Sequence, residues 1–82
     1  MAIFTRAIEV DGDARGERQF EAEGPKAAIR VALAELQTVV SDAGDLTSAI
    51  IVVGEGLSAA QTRWLGGWLW RAEDGFVWME PD

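Results

Sequence analysis

The feature that constrains this chain most is one amphipathic segment bounded by its own punctuation. Gly24-Pro25 opens it, and proline at a first helical position gives up only an amide that would have no partner there. Ala28, Ile29, Ala32, Leu33, Leu36, Val39 and Val40 then recur at spacings of three and four, while Lys26, Arg30, Glu35, Gln37, Thr38 and Ser41 fall elsewhere. Gly44 follows as a C-cap able to adopt a left-handed conformation without a Cβ clash. The spacing predicts a helix over 25–42. A single apolar stripe needs a second layer to lie on, and the remaining sequence must supply it.

That layer is written in alternation. Residues 3–10 place Phe4, Ile8 and Val10 on one side and Thr5, Ala7 and Glu9 on the other, a half-buried strand pattern. Asp11-Gly12-Asp13-Ala14-Arg15-Gly16 has the glycines and aspartates of a chain reversal. A second arm, 17–23, sets Arg18, Phe20 and Ala22 against Glu17, Gln19, Glu21 and Glu23, so that if Phe20 and Ala22 face the core the glutamates project together. Residues 47–53 are β-branched and nearly continuous in apolarity, as a central strand covered on both faces would be. Ser58-Ala-Ala-Gln61 has capping-box spacing and predicts a helical turn over 59–65. Residues 68–72 and 76–80 flank Glu73-Asp74-Gly75 as a last hairpin. The expected fold is a single α+β domain over 1–82, β-β-α-β-(short helix)-β-β. It has one mainly antiparallel sheet, with a single long helix packed on one face.

The last hairpin has two registers. With a two-residue Asp74-Gly75 loop, Trp70 shares a side with Val77 and Met79. With a three-residue loop and a glycine bulge, Trp68, Trp70, Phe76 and Trp78 share one side, and Leu69, Val77 and Met79 the other. In either register both sides are apolar. One helix covers one face of a sheet, so the second face requires the 57–65 segment or another chain.

Charge and residue inventory restrict function. With 82 residues, 14 acids, 7 bases and a formal charge of −7, the chain repels phosphate backbones and anionic lipid, and its cations are scattered. A basic protein partner is the electrostatic alternative. The longest apolar run, 49–53, is far short of the roughly 20 residues of a membrane-spanning helix. The start lacks a signal-peptide core, and the absence of cysteine suits a reducing compartment, so a cytoplasmic location is expected. Without histidine, cysteine or tyrosine no triad can be assembled around Ser41, Ser48 or Ser58. Asp11 and Asp13 fail the calcium-loop pattern, and Gly54-Glu55-Gly56 lacks the lysine and third glycine of a phosphate cradle. The expectation is a protein without catalytic residues, metal or cofactor.

Two constellations remain as partner-binding candidates. Glu9, Asp11, Asp13, Glu17, Glu21 and Glu23 crowd six acids into the first hairpin, relieved by Arg15 and Arg18. Alternate residues on one strand lie about 6.6 Å apart, against one charge per about 3.4 Å on a DNA strand. Mimicry of nucleic acid therefore needs adjacent arms or a second subunit. Trp64, Trp68, Trp70 and Trp78 form the other constellation, since tryptophan buries a large rigid surface and offers one donor.

In size, acidity, lack of cysteine, element order and aromatic-rich end, the chain resembles the small anti-CRISPR proteins of phages and mobile elements. The resemblance spans the whole chain and rests on no motif, so no functional residue is carried over. It implies an inhibitor in the cytoplasm of a bacterial host cell, docking on the basic DNA-binding surface of a CRISPR surveillance complex. The alternative reading is a structural homodimer or assembly subunit that uses the tryptophan-rich C-terminal hairpin as its interface.

Overall fold

A computed structural model describes residues 2–56 and 62–81. It contains β1 (Ala2–Val10), β2 (Asp13–Ala22), α1 (Pro25–Ala43), β3 (Ser48–Glu55), β4 (Arg63–Arg71) and β5 (Gly75–Met79). The strands form one antiparallel sheet in the order β2-β1-β3-β4-β5, and α1 packs on one side of it, an α+β fold.

The helix runs one residue past its expected end. Pro25 occupies the first turn, the Ala28 amide donates to the Gly24 carbonyl, and Gly44, at φ 77°, donates to the Val40 carbonyl. Ala28, Ala32 and Leu36 are fully buried, the two alanines letting the helix backbone approach the sheet. Beneath them lie Phe4, Ile8 and Val10 of β1, Ala22 of β2, and Ala49, Ile51 and Val53 of β3. Arg6 also points to this side. Its guanidinium makes a two-pronged contact with Glu35 of α1 (Nε–Oε1 3.0 Å, Nη2–Oε2 2.8 Å) and donates to the Gly16 carbonyl.

Several sequence expectations need correction. The first reversal is tighter than 11–16: Asp11 and Gly12, at φ 49° and 87°, form a two-residue loop, and β2 resumes at Asp13. Gly16, at φ 87°, instead serves a bulge, where Arg15 and Gly16 stand opposite Ile8. The strand ends at Ala22, leaving Glu23 beyond it. The Ser58–Gln61 capping box lies outside the described residues, but Arg63, Trp64 and Leu65 are strand, not helical turn. Trp64 and Arg63 stand in register with Gly54 and Glu55, which gives their backbone groups partners that an isolated turn would lack, and Leu65 is the extra residue of a bulge. β3 is central, as expected, yet only its Ala49, Ile51 and Val53 side is fully buried; Ile50 and Val52 on the other are half-buried.

The last hairpin takes the three-residue register. Arg71 pairs with Gly75 across Ala72-Glu73-Asp74, Asp74 donates to the Arg71 carbonyl, and Gly75 sits at φ 76°.

Candidate functional site

Strand alternation divides the hairpin residues between the two sides of the sheet. Trp68, Trp70, Phe76 and Trp78 lie on the α1 side and pack against the core. Trp68 and Trp78 meet edge to face at 5.2 Å, and the Trp68 indole N–H donates to the Ile29 carbonyl at 3.2 Å. These three tryptophans are thus half-buried against their own chain. Trp64 alone takes the opposite side, in register with Gly54; a Cβ on Gly54 would come within 2.9 Å of the Trp64 ring.

Among the described residues the opposite side carries no helix. Following the pairings across it gives two rows. One runs Glu17–Ala7–Val52–Gly67–Met79, and the next Ala14–Glu9–Ile50–Leu69–Val77. Val77 is 46% exposed and Ile3, paired with Glu21 at the sheet's end, is 38% exposed. Thr5, although on this side, is fully buried and its hydroxyl donates to the Gly56 carbonyl at 2.9 Å. The open area therefore begins at the Ala7 row.

The six acids do not act as one array. Glu9, Glu17 and Glu21 share the open side. Asp13 pairs with Val10, a position of the α1 side, and Glu23 lies near Lys26 and Arg30 at the start of the helix. Asp11 is exposed but bound to its own chain: its Oδ1 accepts from the Thr47 hydroxyl at 2.7 Å and from the amides of Ser48 at 2.9 Å and Thr47 at 3.1 Å. The Thr47 hydroxyl above all, then the Ser48 amide, hold its carboxyl below the ordinary value of 3.8. That carboxylate ties the first turn to the start of β3 and is occupied there.

The hairpin also sorts its charges by sign. Arg6 and Arg18 occupy α1-side positions, and Arg15 lines a groove on that side with Arg6, Ile8, Glu35 and Asp42. Glu9, Glu17 and Glu21 therefore face outward without a cation of their own hairpin beside them. Among the described residues the open side has one cation, Arg71, at the far corner, 4.0 Å from Asp74.

Chemically this surface offers hydrogen-bond acceptors and apolar contact. Among the described residues no cluster of three or more acids could hold a metal ion, and no helix is long and apolar enough to cross a membrane. The Asp11 carboxylate beside Thr47 and Ser48 accepts from three donors. Sequence alternation identified the outward glutamates and left open which side the indoles would take. Comparison with known proteins gives no match to a family model, a curated protein or a solved structure.

Proposed function

We propose that this chain is a non-catalytic inhibitory module, working as the small anti-CRISPR proteins it resembles do. In this reading it places the open side of its sheet on a basic, DNA-gripping surface of a host interference complex and blocks it. The observation that carries the reading is the sorting of charge in the first hairpin. Arg6, Arg15 and Arg18 are turned toward the helix side, and Glu9, Glu17 and Glu21 away from it. Outward carboxylates attract lysine and arginine, speed the encounter, and make it sensitive to salt. The apolar residues beside them add contact that simple phosphate mimicry would lack.

Competition for DNA tests this. Added to a purified surveillance complex, the protein is expected to displace labelled DNA, less so as salt rises. Glu17→Lys with Glu21→Lys is expected to weaken displacement by at least about tenfold. Undiminished displacement by the folded double variant would contradict the acidic-face mechanism.

A second reading, self-association, is favoured by one observation: Leu69, Val77 and Met79 form an apolar patch on the hairpin side away from Trp68, Trp70 and Trp78. Such a dimer would use this patch in place of the tryptophans. Sedimentation that shows a concentration-dependent dimer abolished by Val77→Lys would support it.

A further inference from the structure

The open side is not flat. Ala7 and Gly67 interrupt their row with small residues, and two depressions result. One is lined by Ala7, Glu9, Glu17, Ile50 and Val52 among others, the second by Val52, Trp64, Gly67, Met79 and Glu80. Val52 lines both, so the two depressions adjoin at its side chain and together make an interrupted trough that reaches from β2 to β5. The ridge of Ile50, Leu69 and Val77 bounds it on one side and Trp64 on the other.

Dimensions select the occupant. Four interstrand steps of about 4.8 Å make the trough about 19 Å long, and the bounding rows stand about 13 Å apart at their backbones. The side chains of those rows narrow this further. A helix about 10 Å across would ride above the floor, whereas an extended chain of about six residues spans the length at about 3.3 Å each. Charge selects further: the trough has an apolar floor, carboxylates at both mouths (Glu9 and Glu17 at one, Glu80 at the other), and no cation in its lining.

We infer that this trough binds an extended segment of a partner protein that carries apolar side chains in its middle and a lysine or arginine at each end. The inference rests on the proposed basic partner for its sign of charge and adds the conformation and residue pattern of what is bound. Like-charged glutamates disfavour a second copy of this chain in the same place.

The test uses the whole 15N-labelled chain and the synthetic peptide Lys-Ile-Thr-Val-Thr-Ile-Arg. Saturable amide shifts are expected at Ala7, Val52 and Gly67, and none with a peptide bearing glutamate at both ends. Ala7→Leu, which fills the floor, is expected to weaken binding at least about tenfold, as is Val77→Lys on the ridge; Glu23→Lys, outside the trough, should change it less than about twofold. The proposal is overturned if both trough variants bind as the parent does, if the acidic peptide binds equally, or if no shift occurs up to about 1 mM. Two results separate it from the broader reading. An all-lysine peptide that binds as well, and is lost on Glu9→Lys with Glu17→Lys, removes the trough and keeps the acidic face. A dimer that Ala7→Leu dissociates, with no peptide shift, assigns the trough to a second copy and overturns the proposal.

Discussion

Asp11 shows how a residue's partners, rather than its charge, decide its role. By composition it belongs with five other acids of the first hairpin, but its carboxylate accepts three hydrogen bonds from Thr47 and Ser48. Nothing local in the sequence announces this, because the donors lie 36 and 37 residues away. Since folding lowers its pKa, the carboxylate stabilises the fold above the ordinary value of 3.8, and that contribution is lost as pH falls through the lower folded value. Asp11→Ala is therefore expected to lower the melting temperature near neutral pH, the gap to the parent closing as pH falls below the folded value. Thermal unfolding of both proteins across that range checks it, and a constant gap would contradict it. Gly66 is constrained in another way. It sits at φ 140°, and an added Cβ would run into the Trp78 ring and come 2.6 Å from the Met79 carbonyl oxygen. Gly66→Ala is expected to cost about 2 kcal/mol or more in denaturant unfolding.

At the level of elements, α1 is held by a contact and a packing surface that different substitutions separate. Leu36→Ala is expected to cost about 2–5 kcal/mol, as removal of a fully buried leucine does. Glu35→Ala leaves the guanidinium of Arg6, 8% exposed, without its carboxylate, and is expected to cost about 1–3 kcal/mol. Arg6→Met combined with Glu35→Leu should recover much of that loss, because the desolvation of two charges disappears together with their attraction. A double variant less stable than Glu35→Ala alone would contradict this account. The helix was legible because its apolar spacing and both of its ends are encoded locally, in Pro25, Ala28, Leu36 and Gly44. The first hairpin's sides were legible for the same reason, from Phe4, Ile8, Phe20 and Ala22. Two things were not. Both loop lengths in the last hairpin satisfy Asp74-Gly75, and the choice depends on Trp68, Trp70, Phe76 and Trp78 reaching the core together. The coverage of β3 was misjudged because Ile50 and Val52 look as apolar as Ile51 and Val53, although only the latter pair meets the helix.

For the molecule as a whole, α1 on one side of the five-stranded sheet leaves, among the described residues, a second side of apolar centre and acidic margin. The outward glutamates of the candidate site could be read from alternation, whereas the trough could not, since Ala7 and Gly67 become neighbours of Val52 only through the pairing of three strands. A surface of this kind should bind by contact, with an affinity that falls as salt rises. The most direct test follows methyl resonances of the labelled chain as a purified surveillance complex, the partner proposed above, is added. Neighbouring residues on β3 report on opposite sides of the sheet, and Val31, 44% exposed on the helix, reports on the rest of the exterior. The account expects the methyls of Ile50, Val52, Leu69 and Val77 to shift or broaden while Val31 stays unchanged. Perturbation at Val31 with the open-side methyls unmoved would contradict it.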